Sequence, residues 1–98
     1  MEKKSPHYRL SLVKKHIEAG NYRFTNVART GAALLGIGID QRPGVISSLE
    51  ARDFYKSMTS HEDHKVWHDV YRPSTEWGEI YIKITILEKL VIISFKEL

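Results

Sequence analysis

The chain has no cysteine among its 98 residues, which excludes disulfide bonds, a cysteine nucleophile and a thiolate zinc site. It also lacks a long apolar run. The longest unbroken stretch of Leu, Val and Ile covers residues 90–93, whereas a membrane-spanning helix needs roughly 18 or more apolar residues. Residues 2–4 are charged and no apolar segment follows them, so we expect no secretory signal. These absences favour a cytoplasmic protein without a membrane contact.

Familiar catalytic signatures are also absent. Residues 36–38, the only glycine-rich stretch, follow no predicted strand and lack the Gly-Lys-Ser/Thr sequence of a phosphate-binding loop. No Gly-x-Ser-x-Gly nucleophile elbow occurs. The acidic residues are scattered, and no pair of them indicates a glycosidase or a metal site.

The composition is that of an ordinary globular protein, with 42% hydrophobic and 28% charged residues. A chain of this length buries only about 60–65% of its unfolded surface, which is enough for one modest core. We find no repeat, linker or low-complexity segment. We therefore expect a single domain over residues 1–98.

The net charge of +3 is unevenly distributed. Residues 1–23 hold six basic and two acidic side chains, whereas residues 24–98 hold nine and ten. A basic end of this kind can dock on phosphate or on an acidic protein, and it can equally be a solvated helix face. Charge alone leaves these alternatives open.

The first half of the chain shows helical periodicity. Ser5 and Pro6 predict the start of a first helix, which Gly20 ends. Its apolar positions are Leu10, Val13 and Ile17. Thr25 or Asn26 can cap a second helix, and Pro43 opens a short third one. The apolar positions of the second helix are Val27, Ala28, Leu34 and Leu35, and those of the third are Val45, Ile46 and Leu49.

From residue 53 the hydrophobic period changes to two, which predicts strands. We expect strands over residues 53–59 and 65–72, the second ended by Pro73. Two more strands begin at Gly78 and Leu90, and residues 88–89 join them as a tight hairpin. In the first of these four strands, one side carries Phe54, Lys56 and Met58. In the third strand, one face carries Ile80, Ile82, Ile84 and Ile86, and the other face carries Tyr81, Lys83 and Thr85. In the last strand, one face carries Val91, Ile93 and Phe95, and the other carries Ser94 and Lys96.

This order predicts an α+β fold, with N-terminal helices packed on one face of a mostly antiparallel sheet. The other face is polar. Because an antiparallel sheet can leave one side in water, we expect the functional residues on that polar face.

A histidine cluster in the second half deserves comparison with metal sites. His61, His64 and His68 have spacings that metal ligands can have. The segment, however, is a predicted turn that runs into a strand, where His64 and His68 stand about 13 Å apart. We therefore favour surface histidines and expect no metal.

The stronger candidate site contains no acidic residue. It consists of Lys56, His68, Tyr81 and Lys96, each on a different strand. Two ammonium groups can stabilise a phosphorane, and an imidazole or a phenol can move protons. The 2′-hydroxyl of RNA can be the nucleophile. The alternative is that these are ordinary solvent-facing residues of a sheet. Trp67, Tyr71 and Trp77 have a similar pair of interpretations, since aromatic rings stack on bases but also fill cores.

The chain resembles the MqsR family, the mRNA interferase toxins of bacterial type II toxin–antitoxin systems. The resemblance spans almost the whole length without a gap. It rests on residues 1–4, 6–7, 9–11, 13–15, 53–59, 69–73, 81, 83–85 and 94–97.

The resemblance implies the RelE-like toxin fold and cleavage of mRNA at sites that contain GCU. It places the proposed catalytic residues of the family at Lys56, Tyr81 and Lys96. His68 stands where the family has glutamine, so this position can titrate as well as form hydrogen bonds. Further residues near the site are expected to contact RNA: Tyr55, Met58, Arg72 and Lys83.

The resemblance further implies a cognate antitoxin with a zinc-binding domain and a DNA-binding domain, so that this chain meets DNA only through its partner. No cofactor is expected in the chain itself. Two other functions remain open from sequence: an RNA- or ribosome-binding module that does not cleave, and a protein-interaction domain that uses the basic first helix.

Overall fold

The structure is a computed structural model that describes residues 1–98. It contains helices α1 (Leu10–Glu18), α2 (Asn26–Leu34) and α3 (Arg42–Ser47), followed by a 3-10 turn (Ala51–Asp53). The strands are β1 (Glu2–Lys3), β2 (Tyr22–Phe24), β3 (Phe54–Thr59), β4 (Trp67–Tyr71), β5 (Ser74–Thr75), β6 (Gly78–Leu87) and β7 (Lys89–Glu97). The predicted α+β class is confirmed, and the architecture is consistent with the RelE-like toxin fold.

The strands form one sheet in the order β1-β3-β4-β6-β7-β2, with β5 added beside β6. All pairs are antiparallel except β2 with β7. The prediction of a mostly antiparallel sheet is therefore confirmed. The sequence did not predict β1, β2 and β5, because strands of two or three residues are too short to show a hydrophobic period.

The core lies between the helices and one face of the sheet. The alternation predicted for β6 is confirmed, since Ile80, Ile82 and Ile84 are fully buried. They pack in one cluster with residues of all three helices, among them Val13, Ala28, Ala32 and Ile46. None of the helices reaches the length and apolarity that a membrane span requires.

Helix α2 packs unusually close to β7. Thr25 caps the helix, as predicted, by accepting a hydrogen bond from the Ala28 amide at 3.1 Å. A Cβ atom at Gly31 would overlap the Phe95 carbonyl oxygen, so only glycine permits this approach. The helix therefore buries small side chains, whereas Val27 and Leu34, which we predicted for its apolar face, are exposed.

The first helix starts later than Ser5 and Pro6 predict, because α1 begins at Leu10. The preceding amide groups bind elsewhere. The backbone N–H groups of His7 and Tyr8 donate to the buried carboxylate of Asp69 at distances of 2.9–3.1 Å. Because Asp69 satisfies these donors, residues 7–8 do not need a helical turn. The end predicted at Gly20 is confirmed, and Gly20 has a positive φ of 71°.

Two β-bulges change the faces predicted for β3 and β7. Tyr55 has no partner between Phe54, which pairs with Tyr71, and Lys56, which pairs with Val70. Phe54 therefore packs on the helix side, away from Lys56. Ile93 is likewise unpaired, between the Ile84–Ile92 and Lys83–Ser94 pairs. Residues on either side of a bulge lose strict alternation. The core residues of β7 are therefore Leu90, Ile92 and Phe95, instead of Val91, Ile93 and Phe95.

The predicted hairpin is confirmed with a shorter connection. Glu88 alone joins β6 to β7, with a φ of 67°, and Lys89 already pairs with Leu87. The second predicted strand is also shorter than expected, since β4 covers Trp67–Tyr71 instead of residues 65–72.

Candidate functional site

A row of paired residues crosses the centre of the polar face. Lys56 in β3 pairs with Val70 in β4, Val70 pairs with Lys83 in β6, and Lys83 pairs with Ser94 in β7. Residues directly opposite each other project to the same face of a sheet. Two lysines from β3 and β6 therefore share one surface, opposite to the face that the helices cover.

Tyr81 and Lys96 lie on one side of this row. They are direct cross-strand partners on β6 and β7. The Lys96 ammonium nitrogen lies 5.2 Å from the centroid of the Tyr81 ring. Tyr81 is two residues from Lys83 along β6, a separation of about 6.6 Å. The structure thus brings Lys56, Tyr81, Lys83 and Lys96 together.

His68 lies on the other side of the same row. It is two residues before Val70 in β4 and pairs with Met58. Measured along the strand direction, the position of His68 in the sheet is four residues away from that of Tyr81, which corresponds to about 13 Å. His68 therefore shares the face but not the immediate surroundings of Tyr81 and Lys96, and Lys83 lies between them.

The bulged Tyr55 brings further cations to the edge of the site. Its ring centroid lies 4.4 Å from the Arg72 guanidinium carbon, 5.4 Å from the Lys56 ammonium nitrogen and 5.8 Å from that of Lys4. Every candidate RNA-contacting residue is therefore placed on or beside one surface: Tyr55, Met58, Arg72 and Lys83. Lys4, supplied by the segment after β1, was not among the predicted residues.

Burial and neighbouring charges alter the titration of the central residues. Burial raises the pKa of Tyr81, and the positive charge of Lys56 partly opposes this effect. The phenol is therefore protonated at neutral pH and can donate a hydrogen bond or a proton. Burial, with the like charge of Lys96, lowers the pKa of Lys83.

The imidazole of His68 favours its neutral form. Burial is the main cause that lowers its pKa below the usual 6.5, and the positive charge of Lys83 acts in the same direction. Asp69 partly opposes them. A neutral imidazole at pH 7 can accept a proton, which glutamine cannot do.

Lys56 differs from the other lysines because it forms an ion pair. Its ammonium nitrogen lies 2.8 Å from a carboxylate oxygen of Glu2 in β1. The hydrogen bond to Glu2 is the main cause that raises the pKa of Lys56. Lys56 is therefore a charged group and unsuited to act as a general base. Glu2 was not a predicted site residue, because the sequence does not predict β1.

Comparison with known proteins identifies the family. Residues 5–97 match the family model described as "Motility quorum-sensing regulator, toxin of MqsA". The chain belongs to the MqsR toxin family. It is 50% identical over 97 residues to the mRNA interferase toxin MqsR of Escherichia coli (strain K12), and the match covers 99% of each chain. The resemblance stated from the sequence is thus confirmed at the level of the family.

One cavity of this MqsR family chain lies away from the centre of the polar face. It has a volume of about 870 Å³ and lies between α3, the 3-10 turn and the β4–β5 connection. Of the predicted site residues it includes only Arg72. Its carboxylates, among them Asp40, Glu50 and Asp53, make it a poor place for a phosphate. Arg72 is therefore the residue that this cavity shares with the candidate site.

The remaining candidates have other surroundings. Among the aromatic residues, Tyr71 is buried in the core, Trp77 packs against the core, and Trp67 stacks on His7 with Lys3 above it. His61 and His64 are exposed in the β3–β4 loop. No three His, Asp or Glu side chains converge in a way that would hold a metal ion.

Proposed function

We propose that this chain is an mRNA interferase, the toxin of a toxin–antitoxin pair, and that residues 1–98 act as one catalytic domain. The name of the similar Escherichia coli protein supports the activity. The polar sheet face supports the chemistry. The alternative from sequence, an RNA- or ribosome-binding module, uses the same face but forms no new RNA ends.

The central observation is the grouping of Lys56, Lys83 and Lys96 around Tyr81 on one surface. Neither Lys83 nor Lys96 has a carboxylate within ion-pair distance. Their charges are therefore free to stabilise the negative charge that develops on a phosphorane. Lys56 becomes free in the same way when Glu2 releases it.

We place the scissile phosphate above Lys83, because this position has His68 on one side and Tyr81 on the other. In-line displacement at phosphorus requires the attacking and leaving oxygens on opposite sides. His68, in its neutral form, accepts the proton of the 2′-hydroxyl as the bond from O2′ to phosphorus forms. Tyr81 donates its proton to the 5′-oxygen as the bond from phosphorus to that oxygen breaks. The products are a 2′,3′-cyclic phosphate and a 5′-hydroxyl.

Recognition of a site that contains GCU would involve the residues beside this centre. The Tyr55 ring and the Arg72 guanidinium offer flat surfaces on which bases can stack. Met58, cross-strand partner of His68, adds an apolar contact. Because these residues flank the lysines, they can orient the bases next to the cut.

Cleavage assays with the purified protein test this function. The chain is incubated with a GCU-containing RNA in EDTA, beside an active toxin of the same class as a positive control. We expect fragments from the wild type and none from Lys56→Met. RNA that binds with strong salt dependence but stays intact would favour the binding module instead.

We also propose that the partner is an antitoxin with a zinc-binding and a DNA-binding domain, and that the pair acts in the cytoplasm, where mRNA is available. In this arrangement the toxin reaches DNA only through the antitoxin. Expression of the chain alone should arrest growth and deplete mRNA. Co-expression of the gene next to it should restore growth, and the two products should purify together.

A further inference from the structure

Strand β1 delivers a carboxylate to the polar face. Glu2 pairs with Met58 of β3, and Lys3 pairs with Ser57. Because side chains alternate along a strand, Glu2 projects to the side of Met58 and Lys56. Lys3 projects to the opposite side, where its ammonium nitrogen lies 4.4 Å from the Trp67 ring centroid. The N-terminal strand β1 thus forms one edge of the site.

The position of Glu2 is held by contacts on both sides of it. The Thr59 amide donates to the Met1 carbonyl at 3.0 Å, and the N-terminal ammonium group of Met1 donates to the Thr59 hydroxyl at 3.2 Å. Lys3 contacts His7 in addition to Trp67. These contacts keep Glu2 beside Lys56 as part of the folded sheet.

The ion pair itself is accessible and can open. The side chain of Glu2 is 56% exposed and that of Lys56 is 24% exposed. Exposed ion pairs contribute little to stability and are screened by salt. A phosphate oxygen, which also takes a charged hydrogen bond from lysine, can replace the carboxylate without disturbing the strand.

We propose that Glu2 is a built-in competitor of RNA for Lys56. In the free protein its carboxylate occupies the place that a phosphate oxygen takes in the complex, and the RNA backbone displaces it on binding. This inference rests on the proposed function, since it assumes that Lys56 binds the RNA phosphate. Glu2 thereby lowers the affinity of the site for RNA.

Binding of an uncleavable RNA tests the proposal directly. The probe is a GCU-containing RNA with 2′-O-methyl groups at every position, and the variant is Glu2→Gln, which keeps the shape of the side chain and removes its charge. We expect the dissociation constant to fall about threefold or more, as for the removal of one like charge near a phosphate in water. This gain should shrink in 1 M KCl, because the Debye length there is about 3 Å.

Glu18→Gln is the matched control. It removes one negative charge from the exposed end of α1, on the helix side of the sheet, so it reports the effect of net charge alone. Equal affinities of Glu2→Gln and Glu18→Gln would overturn the proposal. So would a loss of the cleavage rate constant in Glu2→Gln with unchanged binding, because Glu2 would then only position Lys56.

NMR titration of the Glu2 carboxyl carbon provides a second readout. The hydrogen bond from Lys56 lowers the pKa of Glu2 in the free protein. Displacement by phosphate should raise this pKa when the uncleavable RNA is bound, and an unchanged value would contradict the displacement.

If the wild type cleaves RNA but Glu2→Gln binds it with the same affinity as the control Glu18→Gln, only this inference fails. If neither variant binds RNA, the proposed function fails with it.

Discussion

Lys96 in β7 holds its ammonium nitrogen 5.2 Å from the centroid of the Tyr81 ring in β6, and the two residues face each other as direct cross-strand partners. The sheet register therefore fixes a lysine beside a phenol. Because burial raises the pKa of Tyr81, the phenol keeps its proton at neutral pH. This pair joins a phosphate-binding charge to a proton donor.

Replacement of Lys96 by methionine should remove catalysis while the fold is kept. We expect the single-turnover cleavage rate to fall about 10²–10³-fold, as for the loss of one group that stabilises transition-state charge. Lys96 is exposed on the polar face and outside the core cluster, so the free energy of unfolding should change by less than about 0.5 kcal/mol. Lys15→Met, an exposed change on α1, should cleave like the wild type. Equal rates for the two variants would exclude Lys96 from the reaction.

His68→Gln should change the pH dependence of cleavage. Burial and Lys83 lower the pKa of His68 below 6.5, so the wild-type rate should rise with pH through this lowered pKa and level off above it. Glutamine does not titrate, so the acidic limb should disappear and the rate at pH 7 should fall. The pH–rate profile of both proteins under single-turnover conditions checks this. An identical profile would show that His68 only forms hydrogen bonds.

Gly31→Ala should destabilise the protein. The added Cβ overlaps the Phe95 carbonyl oxygen, and overpacking of this kind costs about 1–3 kcal/mol or more. This cost should exceed the helix-propensity gain of up to about 1 kcal/mol. Gly44→Ala, also in a helix but with no atom near the added Cβ, is the control and should be neutral or stabilising. Urea unfolding measures the free energy of unfolding of both variants. Equal values would show that α2 does not pack closely on β7 at Gly31.

Tyr71→Phe should leave the free energy of unfolding at pH 7 unchanged or slightly higher, because the buried Tyr71 hydroxyl has no hydrogen-bond partner. Burial raises the pKa of Tyr71 from 10.0 to about 12. Between these values the folded state keeps a proton that the unfolded state loses, so wild-type stability should fall as the pH rises. The variant should lose less stability between pH 7 and pH 10.5. A loss of more than about 1 kcal/mol at pH 7 would reveal a hydrogen bond to this hydroxyl.

Strict alternation in β6 was enough to predict that Ile80, Ile82 and Ile84 are buried and that Tyr81 and Lys83 share the polar face. It did not predict the burial of Thr85, which forms a hydrogen bond with the Tyr8 hydroxyl. The bulges at Tyr55 and Ile93 were not predicted. Each shifts the period by one residue, and apolar residues on both faces, such as Val91 and Ile93 in β7, hide the shift. The start of α1 was wrong for another reason: a distant carboxylate, Asp69, binds the amides that a helix start would otherwise satisfy.

The same distinction applies to the site. Side-chain chemistry and the family resemblance selected Lys56, His68, Tyr81 and Lys96 as candidates, and the sheet register places all four on the polar face. The distance of His68 from Tyr81 and the contact of Glu2 with Lys56 depend on strand order and register. Register joins residues far apart in the chain, such as β1 and β3, and a two-residue strand has too few positions to predict its partner.

Attack by the 2′-hydroxyl on this sheet face can be tested with an RNA that carries a single 2′-O-methyl group on the nucleotide just before the cut. Mass spectrometry of the products in EDTA measures both cleavage and end chemistry. We expect unmodified RNA to yield a 2′,3′-cyclic phosphate and a 5′-hydroxyl, and the methylated RNA to stay intact at this position. Cleavage of the methylated RNA at the wild-type rate would contradict attack by the 2′-hydroxyl on this sheet face.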